Sequence, residues 1–482
     1  MTDPTVNFGA NDWLIEELYA QYLDDPTSVD ETWVAYFKEY APGSTSPAVQ
    51  TAPRQQASAP APTQPAPQPA AQPIVSPVEE VPANVVDAPA NAAGSRLKKA
   101  PAKKQPAESR REKKLDEPKP SPTDSITTVL RGAPMRTARN MEESLVVPTA
   151  TSVRELPMKL PIEARREIND HLRRNRGGKI SFTHIIAYAM VQAVKAIPAM
   201  NNHFAEIDGK PNLVTPAAIN LGVAIDVKKA DGSRALVVPS IKNAGNLKFA
   251  EFLKAYEDIV ARSRENKLTV DDFAGTTCTI TNPGGIGTTH SIPRLMGGQS
   301  FILGVGAIDY PAEVLGSSQE WRDERAISKV TTLTSTYDHR VIQGAQSGEF
   351  LKYMSELLLG LHKFYDHIYE SLRIPFAPMQ WGQDEIILHE DQITKQARLL
   401  ALIEAYRNYG HLAADIDPLS YDQAGDLELA LGSVGLTLWD LDRKFSIGDF
   451  GGRKETTITV REVVEILRDA YARFKNCASS TV

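Results

Sequence analysis

Residues 41–123 constrain this chain more than any other stretch, because they cannot form a core. The run PAPTQPAPQPAAQP typifies them: alanine, proline and glutamine, with almost no large apolar side chain. Such a segment cannot bury enough surface to offset the entropy lost on ordering, so it is expected to stay extended or disordered. Its prolines make it a semi-rigid spacer. The basic clusters Arg96–Lys104, Arg110-Arg111 and Lys113-Lys114 read as solvation of that spacer, with binding to an acidic partner surface as the alternative. What folds must be a short segment before it, residues 1–40, and a long portion after it.

The short segment carries Trp13, Leu14, Leu18 and Tyr22 at helical spacing behind a possible N-cap, Asn11. Val29, Trp33, Tyr36 and Phe37 make a second amphipathic stretch. So few residues bury little by themselves. The aromatics predict docking onto this chain or onto a partner, against the plainer reading of a helical hairpin on its own domain.

Composition excludes several function classes. With 482 residues the chain has room for roughly two to four domains. A net charge of −7 gives no general case for nucleic-acid binding. Cys278 and Cys477 cannot make a disulfide framework, so a reducing cytoplasm is the expected compartment. MTDPTVNFGANDW has no basic start followed by an apolar core, so it is not read as a secretory signal. No apolar run approaches the ~18 residues of a membrane span.

Residues 124–370 read as one α/β domain with a mixed sheet. Ser181 is placed to cap a helix whose apolar face runs through Phe182, Ile185, Ala189 and Val194 and which Pro198 ends. INLGVAIDV and ALVVPSI are strand-like and flank Ala230-Asp231-Gly232-Ser233, a hairpin signal. A long amphipathic helix follows from Phe249 and stops before Asn266. Thr276–Ile280, Ser300–Gly306 and Val330–Tyr337 read as strands, and a helix through Phe350 to Leu361 closes the domain. Beyond it, residues 371–482 predict a helix at Thr394–Tyr409 capped by Gly410, a last helix at Val460–Tyr471, and a small polar tail, Asn476–Val482.

The candidate chemistry lies at the end of the last strand, LTSTYDHRVIQG. A histidine between a strand and a helix is held by rigid elements and still reaches a cleft, which suits a general base. A lone histidine such as His339 is more often a satisfied structural residue than a catalytic one. Its neighbours decide, since CTITNPGGIGT, PRLMGGQSFILGVGAI and STYDHRVIQG occur in that order. Together with KISFTHIIAYAMVQAVKAIPAMN, the set resembles the catalytic domain of the 2-oxo acid dehydrogenase acyltransferases, near the dihydrolipoamide succinyltransferase branch. The resemblance covers Pro134–Tyr369 and implies a chloramphenicol acetyltransferase-like fold. FGANDWLIEELYAQYLDDPTSVDETWVAYF, before it, and AYRNYGHLAADIDPL with LTLWDLDRKF, after it, resemble the N-terminal segment and the start of the body of the 2-oxoglutarate dehydrogenase component. The whole arrangement resembles the actinobacterial fusions of the two, with the dehydrogenase body cut short.

The resemblance implies succinyl transfer between dihydrolipoamide and CoA, with His339 as the base, Thr281 as the oxyanion donor and Gln343 where the family pattern His-x-x-x-Asp-Gly has its acid. An amide can hydrogen-bond there but brings no charge to pair with an arginine. The alternative is therefore a weakly active scaffold that oligomerises the dehydrogenase component. Asp338 and Arg340 are expected to orient the loop by ion pairing, Cys278 to be a buried strand residue rather than a nucleophile, and His411 to be structural. No Asp-Lys-Ala lipoyl hairpin precedes the domain, so a lipoylated acyltransferase would supply the lipoyl group, with dihydrolipoamide dehydrogenase as a second partner. A homotrimer with its active site between subunits is implied. Thiamine diphosphate and Mg²⁺ are expected only with the dehydrogenase body, whose Gly-Asp-Gly…Asn motif this sequence lacks.

Overall fold

The computed structural model describes parts of residues 15–39, residues 129–130, and 133–471 with breaks at 176–177, 229–233, 385–388, 414–428, 448–449 and 451–456. The spacer at 41–123 and the tail at 476–482 lie outside the described residues.

Helix α1 (Glu31–Glu39) shows where Trp33, Tyr36 and Phe37 go, while Asn11, Trp13 and Leu14 lie outside the described residues. Trp33 and Phe37 are buried, stacked on each other with ring centroids 5.5 Å apart. The Trp33 indole Nε1–H donates to the Leu268 carbonyl at 2.8 Å, and its ring lies 6.4 Å from Phe273. A buried indole N–H needs such a partner. This segment docks on its own chain.

Helix α2 (Ala133–Ser144) leads into strand β1 (Thr149–Pro157), helix α3 (Lys159–Asn175) and helix α4 (Phe182–Ala196). Ser181 is the N-cap of α4 as expected: its hydroxyl accepts from the His184 N–H, and its own N–H donates to His184 Nδ1 at 3.1 Å. Ten of the fifteen α4 residues are buried, so this helix is the spine of the core. Strands β2 (His203–Ile207) and β3 (Lys210–Val214) form a separate hairpin.

The hairpin signalled by Asp231-Gly232 divides between two sheets. Its base, β4 (Leu221–Val223) and β7 (Ser240–Ile241), belongs to the main sheet, while β5 (Ile225–Lys228) and β6 (Arg234–Val237) pair in a ladder of their own. Helix α5 (Phe249–Arg264) buries Phe249, Phe252, Tyr256 and Ile259, a stripe at helical spacing. The short helix α6 (Val270–Phe273) precedes β8 (Cys278–Thr281), β9 (Phe301–Val305), helix α7 (Gln319–Glu324), β10 (Val330–Asp338), and helices α8 (Gly344–Leu358) and α9 (Phe364–Leu372).

The main sheet runs β1-β10-β9-β8-β4-β7 and is mixed: β8 is parallel to β9 and β4, and the other pairs are antiparallel. Strand β10 lies inside it, and its hydroxyls are buried but bonded. Thr331 Oγ1 donates to Gly306 O at 2.9 Å, Thr334 Oγ1 to Ser291 O at 2.8 Å, and Ser347 Oγ to Ser335 Oγ at 3.1 Å. Bonding of this kind lets a polar strand occupy a core.

After the domain come α10 (His389–Tyr409), β11 (Lys444–Phe445), β12 (Ile458–Thr459) and α11 (Val460–Tyr471), and α11 meets α3 through Arg461 and Arg468. Two long-range ion pairs fix this contact: Arg461 Nη2 to Glu163 Oε1 at 2.8 Å and Lys159 Nζ to Asp442 Oδ2 at 2.6 Å. Gly410 differs from expectation. The chain runs from α10 into a 3₁₀ turn, and a Cβ at Gly410 would lie 2.8 Å from Tyr471 Cβ. Close packing of α10 on α11, and no left-handed cap, requires glycine there. Among the described residues no helix is long and apolar enough to cross a membrane.

Candidate active site

The end of β10 carries a rigid turn. Asp338 is 3% exposed, and a buried carboxylate must be paired. Its partner is two residues on: Arg340 Nε donates to Oδ1 at 2.9 Å and Nη2 to Oδ2 at 2.7 Å, a fork-on-fork pair, while the Arg340 N–H adds a third bond to Oδ1 at 3.0 Å. The guanidinium also lies 3.8 Å over the Phe204 ring of β2. Between these two residues the His339 N–H donates to Pro148 O at 2.9 Å, just ahead of β1. The backbone of His339 is thus held from three sides while the residue remains exposed. Its ring centroid lies 5.5 Å from that of Tyr337.

Gln343 is the N-cap of α8 and is exposed; its N–H donates to Gln346 Oε1 at 2.8 Å. It shares the strand-to-helix turn with His339. Thr281 does not. It ends β8 level with Gly304 of β9, which is level with Thr334 of β10, five residues before His339. Those five residues span roughly 17 Å along the strand, and two strand spacings add about 10 Å across it. The two residues lie at opposite ends of the same sheet.

The glycines after Thr281 have a steric cause. A Cβ on Gly284 would sit 2.3 Å from the carbonyl carbon and oxygen of Gly306, and one on Gly306 would sit 1.8 Å from Thr289 O. The loop therefore packs backbone on backbone against the end of β9. Asn282 Nδ2 donates to Thr183 Oγ1 at 2.8 Å and ties the loop to the start of α4. This cradle places Thr281 at a fixed strand end.

Cys278 is fully buried in β8, and burial pushes its thiol up to about 12, which leaves it protonated and unreactive. His184 is buried against Tyr256 and pushed down to about 4 by burial, although Glu257 Oε1 lies 3.3 Å from its Nε2. Because Nδ1 accepts the Ser181 N–H, the neutral ring is the form that the helix cap requires. Its role is structural. His411 is exposed on the 3₁₀ turn after α10. Three contacts escaped the sequence reading: Pro148 and Phe204 at the His339 turn, and Thr183 at the Thr281 loop. The first two hold the turn from segments separated from it in sequence, and no local pattern marks them.

The model of the 2-oxoacid dehydrogenases acyltransferase (catalytic domain) family matches residues 122–364, half of the chain. This chain belongs to that family. Its acyltransferase domain accordingly has the mixed-sheet catalytic-core fold of the family. The model of the 2-oxoglutarate dehydrogenase N-terminus matches residues 5–44, ahead of the acyltransferase. The acyltransferase chain is 48% identical over 469 residues to the multifunctional 2-oxoglutarate metabolism enzyme of Mycolicibacterium vanbaalenii, covering 97% of this chain and 37% of that protein. It is also 48% identical to the 2-oxoglutarate dehydrogenase E1/E2 component of Corynebacterium glutamicum, covering 96% of this chain and 36% of the relative. It thus spans little more than a third of either. A probable dihydrolipoamide acetyltransferase from Listeria monocytogenes is 24% identical, covering 50% of this chain and 96% of that one at a TM-score of 0.42.

Proposed function

We propose that this acyltransferase moves a succinyl group between dihydrolipoamide and CoA, with His339 as the general base. The observation that carries the reading is the Asp338–Arg340 clamp, which fixes an exposed histidine at the end of an interior polar strand. A thiol near pKa 8.5 is mostly protonated at neutral pH, and an imidazole near 6.5 can take its proton at a cost of about 2.7 kcal/mol. That cost is small for a positioned base acting as sulfur attacks the thioester. The attack creates an oxyanion, and Thr281 supplies a hydroxyl at a strand end held by the Gly284–Gly306 contact.

Since Thr281 and His339 occupy opposite ends of one sheet, the site takes Thr281 from one chain and His339 from another. A homotrimer is the assembly we assign. The domains are read as 1–40 for docking, 41–123 as spacer, 124–370 as acyltransferase and 371–482 as the start of the dehydrogenase body, acting in the cytoplasm. The lipoyl group comes from a lipoylated acyltransferase, and dihydrolipoamide dehydrogenase reoxidises it. No step is assigned to thiamine diphosphate, which is expected only with the dehydrogenase body.

Gln343 supports a second reading. It is exposed and uncharged where the family pattern has an acid, which suits a scaffold that assembles the dehydrogenase component. Succinyl-CoA and dihydrolipoamide, assayed with the intact chain and with His339→Ala, separate the two. A loss of about 10²–10⁴-fold in the variant supports the transferase. Equal, measurable rates remove His339 from the mechanism, whereas no transfer in either protein, combined with loss of oligomers on deleting residues 134–369, favours the scaffold.

A further inference from the structure

Away from the catalytic turn, a cavity of about 340 Å³ opens where the acyltransferase domain meets the C-terminal helices. Its walls come from three parts of the chain: α3, the segment 310–329 that includes α7, and the Trp439–Asp442 turn with Arg461 of α11. The charges lining it are unbalanced, with Lys159, Arg166, Arg322, Lys329 and Arg461 against Glu163, Asp323 and Asp442.

The imbalance is concentrated on one wall. Lys159 and Arg461 are both engaged by Glu163 and Asp442: Lys159 Nζ is 3.2 Å from Glu163 and 2.6 Å from Asp442, and Arg461 Nε donates to Asp442 at 2.9 Å. These four charges neutralise one another. Opposite them, Arg322 and Lys329 share one aromatic ring, lying 4.2 Å and 5.2 Å from the Tyr310 centroid. Two cations on one ring repel. The acids near them compensate poorly: Lys329 reaches Asp309 only at 3.9 Å, and Arg166 reaches Glu163 at 3.8 Å. Asp323, inside the cavity, is engaged by Gln319 Nε2 at 2.7 Å, and burial raises its carboxyl above the ordinary range. Arg322 Nη1 and Nη2 donate at 3.2 Å and 3.3 Å to the uncharged oxygens Val314 O and Gln319 Oε1, and its buried Nε has no hydrogen-bond partner. A donor in that position needs an acceptor.

We propose that this cavity binds a small multivalent anion, with two or more phosphate or carboxylate groups, which Arg322, Lys329 and Arg166 would neutralise. The volume admits a diphosphate or a tricarboxylate. Because the walls belong both to the acyltransferase domain and to the C-terminal helices, the anion would hold those regions together and report ligand level to the joint between them.

Thermal unfolding of the full 482-residue chain tests this, with sodium pyrophosphate in one arm, citrate in another and sodium chloride at matched ionic strength as the reference. The expected result is a saturable rise in Tm of about 2–4 °C at millimolar anion, abolished in Arg322→Gln/Lys329→Gln and retained in Lys352→Gln, an exposed change on α8. A response to pyrophosphate alone assigns a phosphoryl ligand; a response to citrate alone assigns a carboxylate. Shifts no larger than the chloride reference, or equal shifts in the double variant, overturn the proposal. Should the double variant lack a native circular dichroism spectrum, Lys329→Gln alone is read against the same criteria.

Discussion

Thr281 and His339 stand at opposite ends of one sheet, about 17 Å apart along the strands and two strands apart across them. A hydroxyl and an imidazole so placed cannot act on the same thioester from within one chain. Complementation between chains measures this directly. His339→Ala and Thr281→Ala chains, each inactive alone, are expected to regain about one quarter of the wild-type activity when unfolded together and refolded as a 1:1 mixture, since random assembly pairs an intact His339 with an intact Thr281 at one site in four. Absence of any recovery in well-assembled mixtures would disprove a shared site.

The loop that carries Thr281 is held by contact between two glycines. In Gly284→Ala the new Cβ would lie 2.3 Å from the Gly306 carbonyl, so one strand end must shift. We expect stability to fall by about 1–3 kcal/mol and kcat for succinyl transfer to fall about 100-fold, because a displacement near 1 Å is enough to misplace a reacting group. Thermal unfolding and kcat measured together provide the check. A fall in Tm with kcat unchanged would separate the loop from the chemistry.

His184 predicts an acid-sensitive core. Its ring titrates near 6.5 in the unfolded chain and is pushed down to about 4 by burial in the native one. Between these values the unfolded chain binds the extra proton, so stability must decline as pH falls from 6.5 toward 4. The full loss is roughly 3 kcal/mol. Urea unfolding across this range should show that slope, and His184→Gln, which keeps an acceptor and a donor, should flatten it. A slope unaltered in the variant would place the titration elsewhere.

Docking of the N-terminal segment rests on Trp33, which is 1% exposed. Trp33→Ala removes the largest side chain of the contact and the bond to Leu268, at a cost of about 3–5 kcal/mol. A small segment cannot absorb that loss. Limited digestion with chymotrypsin should then cleave at Tyr36 and Phe37 in the variant and spare them in the parent. Equal protection in both would show that the segment is held by other means.

Much of the architecture was legible in local pattern. Ser181 and the apolar face behind it gave α4, and the boundaries of α11 fell at Val460 and Tyr471 as periodicity predicts. What escaped depended on distant partners. Strand β1 has no clean alternation, with Val153, Arg154 and Glu155 exposed in succession, and becomes a strand through nine residues of register with β10. The His339 turn was recognisable as a motif, but its clamp on Phe204 was not, because nothing around Phe204 signals an arginine overhead. The separation of Thr281 from His339 was equally hidden. It follows from strand direction, with β8 parallel and β10 antiparallel to β9, and alternation in a sequence carries no direction.

That separation also governs stoichiometry. A chain with complementary half-sites at its two ends associates head to tail, through unlike surfaces, so each junction completes one catalytic centre. A linear pair has one centre and two idle ends, whereas a closed ring leaves no idle end. Specific activity should therefore rise with protein concentration in step with the number of contacts formed, levelling off only when the rings have closed.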